Sequence, residues 1–361
     1  MTRDGGALRV KPLEHVSLAS YSTMGVGGPA RWFVEALDEP TVLAAVEWAE
    51  HRGLPLHVLG GGSNVIVADD GVDGLVLHAA LRGVTTRVVG SVVDLTAAAG
   101  EPWDELVRMT VERGWAGLEC LSGIPGLVGA TPIQNVGAYG QDVSETIVTV
   151  RALDRRDGQI VMMTPAECEF SYRDSVFKSR MAGRYVVLGV GYRLQQGGAP
   201  ALRYPEVVTD FARQGIRAPT LADVRRTVLA IRRSKSMVLD ERDPNRRSCG
   251  SFFVNPVVAA DEFRRIEARV GSEQVMPSWP EPGGRVKLSA AWLIEHAGFA
   301  RGHTDGAVGL STRHALAIVC HPGARARDVV AFARRVRARV EEWAGVRLTP
   351  EPEIWGPLGL D

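Results

Sequence analysis

The chain has 361 residues, 45% of them hydrophobic and 23% charged, as in an ordinary soluble globular protein with room for two or three domains. Lys+Arg and Asp+Glu both total 42, so no global field draws the chain to nucleic acid or to an anionic membrane. No apolar run approaches the ~20 residues that span a bilayer.

The N-terminal stretch MTRDGGALRVKPLEHV lacks the apolar core of a secretory signal, and a cytoplasmic protein is expected. The four cysteines, Cys120, Cys168, Cys249 and Cys320, are scattered without a CxxC pair and read as reduced thiols. No metal site is expected, because the histidines show no ligand-like spacing.

In chain order, Asp38-Glu-Pro-Thr opens a helical pattern through Leu43, Val46 and Ala49 that stops at Gly53. A short strand over 56–59 runs into Gly60-Gly-Gly-Ser-Asn64, and strands over 65–68 and 74–78 follow around an Asp-Asp-Gly turn. Residues 102–114 read as a helix. Strands at 147–153 and 159–163 read as a hairpin turned at Arg155–Gly158, and 185–194 reads as a further apolar strand. Residues 195–200 read as a flexible loop. Helix 220–235 buries Leu221, Val224, Val228 and Ile231 and carries Arg225, Arg226, Arg232 and Arg233 on its other side. After a polar, turn-rich stretch at 243–250, Ser251-Phe-Phe-Val is expected to start a strand. Helical patterns follow at 261–270, 287–297 and 327–343, the last with a core stripe of Val329, Phe332, Val336, Val340 and Trp343. The arginines between 325 and 339 read as the solvated face of that last helix. Strands and helices do not alternate strictly, so the class expected is α+β.

Three glycine-rich stretches stand out in the first 140 residues: Ser22–Gly28, Gly60–Asn64 and Ile124–Gly140. Glycines at 126, 129, 137 and 140 and prolines at 125 and 132 keep the last of these out of regular helix or strand. Bare backbone N–H groups in such loops can form an anion-binding nest. Gly60–Asn64 alone reads more readily as a tight turn. It is neither GxGxxG nor followed by a helical pattern, so a Rossmann site fits poorly. Three such loops together suit a large cofactor with a pyrophosphate.

In this order the loops resemble those of the UDP-N-acetylenolpyruvoylglucosamine reductase family. The resemblance continues through Ser171-Tyr-Arg-Asp-Ser-Val-Phe-Lys178, Ser234-Lys235, Gly250-Ser-Phe-Phe-Val-Asn-Pro256, Lys287-Leu-Ser-Ala-Ala-Trp-Leu-Ile294 and Pro352-Glu-Ile354. It implies an FAD-binding unit of the vanillyl-alcohol-oxidase (PCMH) type in two subdomains, followed by an α+β substrate-binding domain. The expected division is 1–80 with the tail 346–361, then 81–219, then 220–345. It implies FAD held by Gly60, Gly61, Gly62, Ser63 and Asn64. Ile124, Pro125, Gly126, Gly129, Ala130, Asn135, Gly137, Ala138 and Tyr139 would join them, with NADPH as hydride donor.

The implied reaction reduces UDP-N-acetylglucosamine enolpyruvate to UDP-N-acetylmuramate for peptidoglycan, and so for cell-wall growth and division. A hydride reaching the terminal enolpyruvyl carbon leaves charge on the adjacent carbon and its carboxylate, which needs a fixed cation and then a proton. The resemblance gives Arg173 the first task, Ser251 the second and Glu353 electrostatic support, with Glu351 a rival for that role by spacing. Without the motif, Arg173 reads as a surface ion-pair arginine and Ser251 as a serine bonded to backbone. Cys249 has no neighbouring base in the sequence to make it a nucleophile. Tyr204 matches the substrate-loop tyrosine of the family's longer form, and Lys235, Asn255 and Lys287 match positions that hold the diphosphate and uridine. Beyond Gly298 the sequence departs from the family's glutamine-containing pattern. The expected partner is this small-molecule substrate, and the expected state is a monomer. A flavin oxidase of the same superfamily and an inactive sugar-nucleotide-binding regulator are the alternatives.

Overall fold

A computed structural model describes residues 10–271 and 275–360. The first nine residues, which head the stretch read as lacking a signal, lie outside it. The chain opens with strand β1 (Leu13–Ser17), β2 (Pro29–Ala36), helix α1 (Glu39–Glu50), β3 (Leu56–Leu59), β4 (Val65–Val67) and β5 (Val72–Ala79). There follow β6 (Val84–Val89), β7 (Val92–Ala98), α2 (Trp103–Glu112), β8 (Trp115–Ala116), β9 (Gly137–Ala138) and β10 (Gln141–Asp142). Then come β11 (Ile147–Asp154), β12 (Gln159–Met163), α3 (Pro165–Cys168), β13 (Tyr185–Gln196), α4 (Pro205–Gln214) and α5 (Leu221–Ser234). The last third holds β14 (Val257–Ala259), α6 (Ala260–Val270), β15 (Ser278–Glu281), β16 (Arg285–Leu288) and α7 (Ala290–His296). It ends with β17 (Thr304–Asp305), β18 (Val308–Leu310), β19 (Ile318–Cys320), α8 (Ala326–Ala344) and β20 (Glu353–Trp355).

The described residues form two compact units. The first comprises the residues through Val16, Ala30–Gly61 and Asp73–Arg233; the second comprises Ser17–Pro29, Gly62–Val72 and the residues from Ser234 onward.

In the first unit, a four-stranded sheet has the order β1-β2-β5-β3, with β3 and β5 parallel. Parallel neighbours need a crossover, and residues 60–71, which include β4, connect these two strands. Asp38 caps α1 by accepting from the Thr41 amide at 2.8 Å, and its apolar face, Val42, Ala45, Val46 and Ala49, packs with Leu75 and Leu77. A second, antiparallel sheet runs β12-β11-β13-β7-β6, with β8 on the far end of β13. Val93, Leu95 and Ala97 of β7 pack with Trp103, Leu106 and Val107 of α2.

In the second unit, α6, α7 and α8 share a core with the sheets β14-β16-β15 and β17-β18-β19. Val329, Phe332, Val336 and Val340 of α8 are fully buried, and the helix stops at Gly345, whose φ of +75° is left-handed. Two short pieces from early in the chain join this unit. Met24, Val26 and Ile66 lie in its core, and β4 pairs in parallel with β20 from the C-terminal tail.

Several elements differ from the sequence reading. No strand starts at Ser251: Phe252 donates to the Leu316 carbonyl and Val254 to the Thr349 carbonyl, so successive amides point to different neighbours. Lys287 belongs to β16 rather than to a helix. The helix starts three residues later, where the Ser289 side chain accepts from the Trp292 amide at 3.2 Å. Gln195 and Gln196 extend β13 by pairing with β8, so the loop begins after them. Strands β1, β2, β6 and β7 and helix α4 gave no clear sequence signal. Every residue of β6 is exposed, which removes the alternation that marks a strand.

Candidate cofactor and active site

The first unit brings two of the glycine loops together. A Cβ placed on Gly61 would lie 2.8 Å from the Gly126 Cα, and one on Gly60 would meet the Ala130 Cβ at 3.8 Å. Gly126, at φ +118°, accepts the Trp103 amide at 3.0 Å, which ties the loop to the start of α2. Gly129 sits where a Cβ would come within 2.6 Å of the Ala99 Cβ and donates its amide to the Ala99 carbonyl at 2.8 Å. Ile124 and Pro125 lead into this contact, half-buried.

The second half of the segment is fixed by strained non-glycine residues. Asn135, Tyr139 and Arg173 have φ values of +46°, +50° and +56°, in the left-handed region that such residues seldom adopt. Asn135 is buried; its side chain donates to the Ser171 carbonyl at 3.1 Å and accepts the Ser144 amide at 3.1 Å. Gly137 and Ala138 pair with Asp142 and Gln141 in a two-stranded turn. Arg173 Nη2 donates to the Gly137 carbonyl at 2.6 Å, placing the guanidinium on the segment itself. Lys178 Nζ donates to Gln134 Oε1 at 3.2 Å and to the Arg173 carbonyl at 3.3 Å, adding a second cation to the same neighbourhood.

Tyr139 packs edge-on against Tyr204, ring centroids 5.3 Å apart, where Tyr204 enters α4 beside the buried Val207 and Phe211. Burial raises the Tyr139 phenol to about 12, against the pull of nearby Arg232, so it stays protonated at neutral pH. Arg232 is the residue that sequence reasoning passed over. It reads as one of four polar-side arginines of α5, yet burial pulls its pKa down and its guanidinium donates to the Tyr139 hydroxyl. Arg225, two turns earlier on the same face, makes a bidentate pair with Asp104 at 2.6 and 2.8 Å, and Asp104 also accepts the Gly123 amide. A sequence signal existed in the i, i+7 spacing of Arg225 and Arg232, which puts both on one face.

Ser251 and Glu353 belong to the second unit, Arg173 to the first. Ser251 is half-buried, between Gly250 at φ +75° and the fully buried Phe252. The C-terminal tail runs alongside: the Glu351 amide donates to the Phe252 carbonyl at 2.8 Å. Two residues on, Glu353 heads β20 with its side chain exposed and its amide bonded to the Asn64 carbonyl at 3.0 Å. Asn64 Nδ2 donates to the Glu351 carbonyl at 3.2 Å, so the Gly62-Ser63-Asn64 end of its loop grips the tail at two points. Gly62, at φ +60°, has no room for a side chain, since a Cβ would lie 1.6 Å from the Tyr21 carbonyl oxygen. Cys249 is buried, and burial pushes its thiol far above the ordinary range, which makes it inert as a nucleophile.

The remaining expected substrate residues are spread through the second unit. Lys235 lies near His314, whose imidazole burial lowers to about 4, with the Lys235 and Arg301 charges adding to the shift. The residue after it, Ser236, is held at φ +56° by the buried Asn245, which donates to Ser236 Oγ at 3.1 Å and to Thr312 Oγ1 at 3.0 Å. Asn255 Oδ1 accepts the Ala290 amide at 3.0 Å at the start of α7. Lys287 forms an ion pair with Glu281 and stands opposite Val257 across the sheet. Among the described residues no group of His, Cys, Asp or Glu is arranged to hold a metal ion, and no helix is long and apolar enough to cross a membrane.

Comparison with known proteins places this geometry. Residues 30–164 match a family model described as an FAD binding domain, and residues 243–355 match the C-terminal domain of UDP-N-acetylenolpyruvoylglucosamine reductase. The chain is 47% identical to the UDP-N-acetylenolpyruvoylglucosamine reductase of Thermobifida fusca, over 95% of this chain and 97% of that one. It is likewise 47% identical to the enzyme of that name from Saccharopolyspora erythraea, over 98% of this chain and 97% of its relative. The solved structure of UDP-N-acetylenolpyruvylglucosamine reductase from Thermus caldophilus superposes with a TM-score of 0.62 at 27% identity, covering 96% of this chain and 99% of that one. The expected class, α+β with an FAD-binding unit, therefore holds.

The residues present fit FAD. At Gly61 and Gly126 two loops approach so closely that no side chain fits between them, which leaves bare backbone as what these loops can offer a pyrophosphate. The neighbouring cations, Arg173, Lys178 and Arg232, give the same stretch the sign of charge that an anionic cofactor and substrate require.

Proposed function

The chain belongs to the UDP-N-acetylenolpyruvoylglucosamine reductase family and is a flavin-dependent oxidoreductase, and from that premise we propose how its own residues serve the reaction. The substrate is UDP-N-acetylglucosamine enolpyruvate, the product UDP-N-acetylmuramate, and the electron donor NADPH. FAD, when bound, supplies the hydride that the terminal enolpyruvyl carbon receives. Gly60–Asn64 and the Ile124–Tyr139 residues named above hold that cofactor.

Arg173 holds the substrate carboxylate and meets the charge that develops on it. A guanidinium suits this task because it stays charged and binds a carboxylate through two parallel donors. The observation that carries the reading is the seat of Arg173. A strained backbone and a 2.6 Å hydrogen bond to Gly137 fix the guanidinium on the cofactor segment before any substrate arrives. Ser251 delivers the proton to the carbon next to the carboxylate. A hydroxyl is a weak acid, so it acts only because that carbon is strongly basic. Glu353, exposed at the head of β20, gives electrostatic support, and Tyr204, Lys235, Asn255 and Lys287 bind the sugar nucleotide. The reading keeps the three-part division 1–80 with 346–361, 81–219 and 220–345. It also makes the enzyme a cytoplasmic monomer.

The test is a colour experiment. Purified protein should show flavin absorbance, bleach with NADPH in the absence of oxygen, and regain its colour when the enolpyruvyl sugar nucleotide is added. Colour that stays bleached would sink the reading. Rapid re-colouring by air, with none by the sugar nucleotide, would favour an oxidase instead.

A further inference from the structure

We propose that Thr23, with Arg247 beside it, is a positioning residue for Ser251, coupling the first glycine loop to the backbone that carries the proton donor. The inference rests on the reading of Ser251 given above. Thr23 Oγ1 donates to the carbonyl of Ser248 at 2.7 Å, and its own amide donates to the Gly62 carbonyl at 3.1 Å. Arg247 works in the opposite direction: Nη2 donates to the Gly25 carbonyl at 2.7 Å and Nε to the Met24 carbonyl at 3.3 Å. A Cβ on Gly25 would lie 2.7 Å from that guanidinium, so the glycine is what lets the arginine close on the loop.

These bonds form part of a closed circuit within the second unit. From Gly62 it passes through Thr23 to Ser248, then along the chain past Gly250 and Ser251 to Phe252. The Phe252 carbonyl takes the Glu351 amide, the Glu351 carbonyl takes Asn64 Nδ2, and Asn64 lies two residues from Gly62. Ser251 thus sits on a short span pinned at both ends. One end is the Ser248 carbonyl; the other is Phe252, whose amide reaches the Leu316 carbonyl at 2.7 Å.

Within the span, Gly250 at φ +75° is the flexible element, and it will absorb any slack. Ser248 is buried, so its carbonyl has little access to water as a replacement partner when the Thr23 hydroxyl is removed. A donor that must reach one carbon of a bound substrate tolerates little displacement. Thr23 therefore controls proton delivery while touching neither substrate nor the reacting atoms.

The experiment uses the full-length, FAD-loaded enzyme as Thr23→Val and Thr23→Ser. In Thr23→Val, re-oxidation of the reduced flavin by UDP-N-acetylglucosamine enolpyruvate should slow by about 10- to 100-fold, with reduction by NADPH within about twofold of wild type. Thr23→Ser, which keeps the hydroxyl, should restore the lost rate. Hydrogen exchange on the same proteins without substrate should show faster exchange at the Phe252 and Glu351 amides in Thr23→Val and not in Thr23→Ser. Should Thr23→Val not fold, Arg247→Ala carries the same test with the same expected split between half-reactions. A Thr23→Val enzyme re-oxidised at the wild-type rate overturns the inference and leaves the proposed reaction standing. Equal slowing in both variants also overturns it. A wild-type enzyme that the sugar nucleotide cannot re-oxidise brings down the reaction itself, and the positioning role with it.

Discussion

In the unit that carries Arg173, the residues of interest come from two continuous stretches: Gln134–Tyr139 and Ser171–Lys178 bond directly to one another, and three non-glycine residues there hold left-handed backbones. In the unit that carries Ser251 and Glu353, the corresponding region is assembled from four separate pieces: residues 22–25, 62–64, 248–252 and 351–353. Bonds between two stretches hold the first region against its backbone strain, and a circuit of hydrogen bonds pins the second. The contrast teaches where each is vulnerable. A strained segment held by dense local contacts resists single side-chain losses, whereas a circuit opens when one link is cut.

The hardest break is chemical. Ser251→Ala should leave flavin reduction by NADPH nearly intact and slow the second half-reaction by about 10²–10⁴-fold, as expected for loss of a general acid. Single-turnover kinetics separates the two, and unchanged overall turnover would remove Ser251 from its role. The next break is steric and sets the units side by side. Gly62→Ala puts a Cβ 1.6 Å from the Tyr21 carbonyl oxygen at a positive φ, so the second unit should lose about 2–4 kcal/mol of stability, read from thermal or urea unfolding. Gly61→Ala, one residue earlier, meets the Gly126 backbone, its Cα at 2.8 Å, with no left-handed backbone of its own. Its smaller effect should appear as weaker flavin retention rather than as a lower melting point. Equal melting losses in both variants would erase the distinction drawn between the regions.

The same contrast explains what the sequence revealed. Helices α1, α2, α5, α6 and α8, the hairpin β11–β12 and the strand β13 carried periodicity, caps or turns in their own residues, and they stand close to where those signals put them. The three glycine loops were legible as loops, because glycine and proline act locally. What they held was not legible locally. Ser251 and Glu353 stood out only through resemblance, since nothing in Gly250-Ser-Phe-Phe says that a tail a hundred residues on will lie beside it. The strand expected at Ser251 failed for that reason: its amides bond to Leu316 and Thr349, partners that periodicity cannot see. Thr23 and Arg232 were hidden in the same way, one in a glycine cluster and one among surface-seeming arginines.

An acid titration probes the first unit away from its site. Asp154 is almost fully buried at the end of β11, and its hydrogen-bonded pairing with Arg184 holds its carboxyl at about 2 against an ordinary 3.8. A depressed folded-state value means that the unfolded chain binds the proton more readily. The pair's stabilisation is therefore complete above the ordinary value and is lost as pH falls through about 2. Urea midpoints should drop between these limits in wild type, and the drop should flatten in Asp154→Asn. Were the two curves parallel, the carboxylate would not be contributing through its charge.

The smallest effect is expected at the entry to α4. Arg203 Nη1 donates to Glu145 Oε1 at 2.8 Å and to the Gly140 carbonyl at 3.3 Å, bridging the tyrosine-bearing stretch to the end of the glycine segment. The Arg203 side chain is 61% exposed, and an exposed pair of this kind contributes under about 1 kcal/mol and weakens with salt. The stretch has stronger anchors one and two residues away. Ala201 gives its amide to the buried Glu119 carboxylate at 2.7 Å and takes the Cys120 thiol at 3.2 Å, a thiol that burial keeps protonated by raising it to about 12. Tyr204 itself rests on the Tyr139 ring. Arg203→Ala should accordingly leave the melting point almost unchanged and raise KM for the sugar nucleotide only slightly, with kcat constant. A large rise in KM that salt reproduces in wild type would mean that Tyr204 is seated by the exposed ion pair. The buried anchors would then be secondary, and the first unit would share the single-link vulnerability of the second.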